Sequence, residues 1–136
     1  MRKMYSPRQI AIGTFFGGPL AAIYFLKGNF DTLGKDELSK KTMLIGSVVA
    51  ILLIAIMPFV PESTPNSLIP ILYLIPVIML VKSHQLTKVE ISESTEFSFQ
   101  SSWKVFGMSL VWMFVFLIVA VAFMFALDVT GVVNFD

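Results

Sequence analysis

Acid–base or metal chemistry needs histidine, carboxylate, thiol or hydroxyl groups held in fixed relation, and this chain offers few of them. It has 1 histidine, His84, and 0 cysteines in 136 residues. Without thiols there is no thiolate nucleophile, no disulfide, no cysteine-ligated zinc and no cysteine-held iron–sulfur cluster. His84 stands between Lys82 and Lys88, with no second histidine and no neighbouring carboxylate to orient it as a metal ligand or general base. It reads as an amphipathic interfacial imidazole. Ser47 and Ser109 are nucleophiles by type only, since no recognisable base accompanies either. Hydroxyls in apolar helices usually bond a carbonyl one turn back, so both read as structural. The expectation is no catalytic residue, no metal ligand and no cofactor.

Ion transport would need polar groups that replace a hydration shell at depth in the membrane. The four apolar stretches of the chain, 10–26, 43–60, 68–81 and 105–127, carry no Asp, Glu, Lys, Arg or His. They offer only hydroxyls such as Thr14, Tyr24, Ser47, Tyr73 and Ser109, with carbonyls freed by Pro19 and Pro76, which is a poor pathway for a single chain. The formal net charge is +1, and the basic residues are dispersed rather than gathered in one run, so no nucleic-acid partner is expected. Hydrophobic residues make up 56% and charged residues 14%, against about 45–50% and about 25% in soluble domains. The chain reads as a single all-α integral membrane domain over 1–136, with the lipid bilayer as its first partner.

The second and fourth stretches are secure spans. Residues 43–60 are uncharged and stopped by Pro58 and Pro61, and Asp36-Glu37-Leu38 begins that helix a turn or two earlier. Residues 105–127 rise about 34 Å as a helix, enough for a hydrocarbon core of about 30 Å. Ser101 or Ser102 is its N-cap, with Trp103 and Lys104 at headgroup level. The third stretch holds Pro70 in its first turn and Pro76 at its middle, where a kink is expected. A short link joins the second and third stretches as an antiparallel hairpin.

The first stretch is divided by Gly17-Gly18-Pro19. Either one helix crosses with a kink, giving four transmembrane helices, or the segment turns back as a re-entrant or interfacial hairpin, giving three. The 10 Lys/Arg lie before 10–26 (Arg2, Lys3, Arg8), after it (Lys27, Lys35, Lys40, Lys41) and between the third and fourth stretches (Lys82, Lys88, Lys104). A re-entrant segment puts all of them on the cytoplasmic side, together with loops 27–42 and 82–104. The positive-inside rule favours that form over four spans with an external N-terminus. Both place the C-terminus, residues 128–136, outside. Within 27–42 a turn and a short surface helix are expected. In 82–102 the alternation of Val89, Ile91, Phe97 and Phe99 with polar residues suggests a small hairpin or extended interfacial segment.

The residues singled out are packing or bend positions. Gly13, Gly17 and Ala21 recur at helical spacing, as do Gly46 and Ala50, and small residues let helices approach closely, within one chain or between chains. Gly18 and Pro19 complete the bend. The aromatics of 105–127 lie on several faces, which lipid contact explains.

Ser6-Pro7-Arg8-Gln9-Ile10, Gly17-Gly18-Pro19 and Asn29-Phe30 with Leu33-Gly34 resemble the opening of a family of small bacterial inner-membrane proteins. The resemblance covers about the first 35 residues. It implies a bacterial inner membrane and a structural Gly-Gly-Pro bend, and no chemistry. The favoured function is a non-enzymatic accessory, assembly or protective subunit that packs against another membrane protein or a second copy of itself. The alternative is an oligomeric channel or transporter component, with an intramembrane enzyme third.

Overall fold

The computed structural model describes residues 2–132. The chain is 77% helical and runs β1 (Arg2–Met4), α1 (Pro7–Thr32), α2 (Asp36–Ile56, continued by a 3-10 turn Met57–Phe59), α3 (Leu68–His84), α4 (Lys88–Glu93), β2 (Phe97–Phe99) and α5 (Ser102–Val129). Three helices, Pro7–Thr32, Asp36–Phe59 and Ser102–Val129, are long and apolar enough to cross a membrane; Leu68–His84 is a shorter apolar helix.

Length and composition do not describe the path of α1, which folds back on itself. Gly18 leaves helical geometry at φ 84°, ψ −173°, a region open essentially to glycine. Pro19 follows, excluding the helical conformation from the residue before it and contributing no N–H. The two halves then run side by side. The Tyr5 N–H donates to Asn29 Oδ1 at 2.8 Å, Arg2 Nη1 donates to the Thr32 carbonyl at 3.1 Å, and the Tyr5 and Phe25 rings lie 4.9 Å apart. A straight 26-residue helix would hold its ends about 38 Å apart. The halves Pro7–Gly17 and Pro19–Thr32 rise only about 16 Å and about 21 Å, so neither crosses a hydrocarbon core of about 30 Å alone.

The N-terminal half starts on a capping box. Ser6 Oγ accepts from the Gln9 N–H and Gln9 Oε1 accepts from the Ser6 N–H, with Pro7 in the first turn. The reversed C-terminal half ends through Gly34, at φ 73°, and α2 begins at Asp36. The surface helix expected within 27–42 is therefore shared between the last turn of α1 and the first turns of α2. Asp31 ties the two together: Lys27 Nζ donates to it at 2.8 Å, and the Ser39 hydroxyl also donates to it. The Lys27 bond first, and then that of Ser39, hold the Asp31 carboxyl below its ordinary pKa.

Segment 82–102 departs from the expected extended hairpin. Thr87 and Glu90 form a second capping box that starts α4, so Val89 and Ile91 are helical. Phe97–Phe99 is extended, but its partner is the N-terminus: β1 and β2 pair in parallel with Arg2 opposite Phe97 and Met4 opposite Phe99. This pair is a departure from an all-α architecture. It launches α1 and α5 in the same direction, and Gln9 Nε2 fixes the register by donating to the Gln100 carbonyl at 2.8 Å.

The folded α1 is the hub on which α2, α3 and α5 pack. Its buried residues, among them Ile10, Ala21, Phe25 and Phe30, form the core with Val77, Val81 and Val105. The helices α2 and α3 lean on α1 more than on each other, leaving an apolar crevice of about 410 Å³ lined by Leu53, Leu72, Tyr73 and Pro76 among others. The helix α3 continues unbroken through Pro76. All ten Lys/Arg gather at one end, where β1–β2, the α1–α2 turn and the C-terminus of α3 meet; Lys35 Nζ donates there to the His84 carbonyl. The described part of the chain ends at Val132 at the other end, beyond α5, and residues 133–136 of the expected external C-terminus lie outside the described residues.

The bend gives a direct test. A Cβ at Gly18 would meet only Phe116, at 3.9 Å, so the cost of Gly18→Ala comes from backbone strain alone, about 1–3 kcal/mol. Thermal unfolding in detergent should show that loss, and an unchanged melting temperature would refute the glycine-dependent reversal.

Candidate functional site

The small residues sit at the tightest contacts within the chain. A Cβ on Gly17 would fall 3.0 Å from the Cα and carbonyl oxygen of Ser109 and 2.5 Å from the Ala21 Cβ. One on Gly13 would fall 2.5 Å from the Phe25 ring and 3.1 Å from Ser109 Oγ. Gly13 and Gly17 thus seat the first half of α1 against α5 on one side and against its own second half, at Ala21 and Phe25, on the other. Gly46 of α2 faces Ile23, where a Cβ would fall 2.6 Å from Cγ1, and Ala50 on the same helix is buried. Gly18 and Pro19 form the bend. All seven positions are engaged inside one chain.

Above these contacts lies a buried polar clasp that sequence reading missed. Asn29 is 1% exposed, and its amide pairs with the backbone of Tyr5 as a neighbouring strand would: Oδ1 accepts from the Tyr5 N–H and Nδ2 donates to the Tyr5 carbonyl, each at 2.8 Å. The second Nδ2 hydrogen goes to Gln85 Oε1 at 2.9 Å. Gln85 Nε2 in turn donates to the Leu26 carbonyl at 3.2 Å. Four hydrogen bonds thus join the N-terminal strand, both ends of the α1 hairpin and the end of α3. The signal for Asn29 was present, as an uncharged amide continuing an apolar helix, a residue type that bonds across helices where water is excluded.

Ser47 and Ser109 are accounted for locally. Ser109 Oγ donates to the Val105 carbonyl at 2.7 Å and Ser47 Oγ to the Met43 carbonyl at 2.6 Å, each one turn back. His84 is exposed, and its backbone, not its ring, receives Lys35. Thr14 Oγ1 and Trp112 Nε1 are buried without a partner among the described residues. No group of three or more His, Cys, Asp or Glu residues able to hold a metal occurs among the described residues.

Beside the clasp a groove of about 730 Å³ opens between the first half of α1 and α5. Its mouth, at the charged end, carries Arg8, Lys88, Gln9 and Ser102; its depth is lined by Phe16, Phe106, Leu110 and Met113. What the arrangement can do chemically is bind: it presents two cations over an apolar slot.

The clasp and the orphaned hydroxyl respond oppositely to substitution. Asn29→Ala strands the Tyr5 N–H and carbonyl and one Gln85 bond, at about 1–3 kcal/mol for each buried group left unpaired. It should lower the melting temperature and expose the N-terminal residues to protease. Thr14→Val removes a hydroxyl that has no partner, and should leave stability unchanged or raised. Loss of stability in Thr14→Val with none in Asn29→Ala would invert the assignment.

No protein-family model, curated protein or solved structure matches this chain.

Proposed function

We propose that the chain is a multi-pass bacterial inner-membrane protein in which α2, α3 and α5 cross the bilayer around a re-entrant α1, with the charged end cytoplasmic and the C-terminus outside. Its function is that of a non-enzymatic accessory, assembly or protective subunit, exerted by packing against another membrane protein. The membrane placement draws on the gathering of all ten Lys/Arg at one end, which the positive-inside rule assigns to the cytoplasm. It draws also on the position of α1, whose flanking bend residues Gly17 and Pro19 are buried and whose apolar window is half buried, as a re-entrant segment requires.

One observation carries the packing function. In their most apolar windows α2 is 11% buried and α5 6% buried, against 50% for α1. The two longest uninterrupted helices give the chain little of their own surface and present Leu44, Ile51, Phe114 and Ile118 outward. The small-residue faces are already filled internally, so a partner would meet these bulky side chains. The interior amides of Asn29 and Gln85 are committed to holding the hairpin, which leaves helix surface as the means of action.

Two measurements test this reading. In spheroplasts, Lys3→Cys and Lys40→Cys should resist a membrane-impermeant thiol reagent while Glu62→Cys reacts; reaction at Lys3→Cys alone with Glu62→Cys would mean that α1 crosses. A photo-crosslinking residue at Ile51 or Ile118 should give one discrete protein adduct, and the same residue at buried Ile54 none. Adducts to lipid alone at every outward position, or saturable ion flux from the purified protein in liposomes, would overturn the subunit assignment.

A further inference from the structure

We propose that the groove between α1 and α5 is a binding site for one anionic membrane lipid, its headgroup held by Arg8 and Lys88 and an acyl chain laid along Phe16, Phe106, Leu110 and Met113. The charges come from separate elements, Arg8 from the first turn of α1 and Lys88 from the first turn of α4, and converge on one mouth. Both side chains are exposed, and among the described residues neither makes an ion pair or a side-chain hydrogen bond. No carboxylate lines the groove. By contrast, Arg2 is taken by Glu96 at 3.4 Å and Lys27 by Asp31 at 2.8 Å. Two unneutralised cations over one cavity are complementary to a phosphate-type anion.

The remainder of the groove decides between a lipid and a soluble anion. From Arg8 to Phe16 the first half of α1 descends about 12 Å, and the walls change from polar to apolar over that distance. Phe16 is 66% exposed and Phe106 59% exposed, so the slot is open laterally toward the bilayer. A soluble phosphate would use the mouth and leave the apolar slot empty, whereas a lipid fills both. A volume of about 730 Å³ lies within the range of about 300–1,000 Å³ typical of small-molecule sites. It takes a headgroup and the upper part of a chain, the rest staying in the membrane. Two further polar groups lining the groove are already placed: Gln9 bonds Gln100 and Ser6, and Ser6 caps α1. They shape the mouth, and Arg8 and Lys88 supply its affinity.

The site rests on the membrane placement proposed above, but its test does not, because lipid binding is read in detergent whichever way the protein faces. The full chain in a neutral detergent is titrated with phosphatidylglycerol or with zwitterionic phosphatidylethanolamine and examined by native mass spectrometry. One phosphatidylglycerol should be retained roughly tenfold or more tightly, the preference expected of two surface cations. Arg8→Gln with Lys88→Gln should reduce that preference to the level of phosphatidylethanolamine. Lys40→Gln with Lys41→Gln, which removes equal charge from the same end, should preserve it. Leu110→Trp, which narrows the slot and keeps both charges, should also lose the lipid. Equal retention of the two lipids, equal loss in the Lys40/Lys41 control, retention in Leu110→Trp, or displacement by millimolar inorganic phosphate would each overturn the proposal.

Discussion

At Gly18 the backbone leaves helical geometry and Pro19 brings no N–H, so carbonyls closing the first half-helix and N–H groups opening the second lose their intrahelical partners. In hydrocarbon each such loss is costly, and irregular backbone persists there only where protein surrounds it. The rest of the architecture is arranged around the element that reverses. Three helices stand around α1, glycines let α5 approach to backbone contact, and the open end of the hairpin is closed by Asn29 and Gln85. The most interior element is thus the one that turns back on itself.

The clasp explains why the hairpin stays closed when its two halves are short. Each half on its own has the length of a marginal helix, so a specific tie between them is needed. Asn29 provides that tie by pairing with both backbone groups of Tyr5. Gln85 extends the pairing to α3, so the segment after that helix is anchored on α1. Arg2, stacked over the Phe97 ring at 5.0 Å, adds a weaker surface contact to the same junction.

What could be read from the sequence follows what local chemistry determines. Apolar runs bounded by charge located the long helices, and the combination of Gly18 with Pro19 marked the reversal because both residues act on the backbone next to them. The distribution of Lys/Arg favours a returning segment over a crossing one by a rule about sides, not contacts. The β1–β2 pair escaped notice, since Arg2–Met4 shows no alternation and its partner lies 95 residues away. The α4 helix was obscured because Val89, Ile91, Phe97 and Phe99 share a period of two across a capping box that divides them. Asn29 and the cation pair of the groove are products of tertiary approach. A lone amide in an apolar helix signals a bond but not its partner, and two separated cations acquire meaning only once the chain has turned back.

The parallel pairing of Arg2–Met4 with Phe97–Phe99 also orders events in time. A ribosome delivers the first strand and both halves of α1 long before the segment that completes them, and parallel pairing across so wide a separation carries the loop-closure entropy of all the intervening chain. Until β2 and α5 emerge, the N-terminal strand lacks its neighbour, Gly17 lacks the Ser109 backbone and Gly13 the Ser109 hydroxyl. The hairpin is therefore made before the elements that complete it. The fold closes only when β2 and α5 are in place.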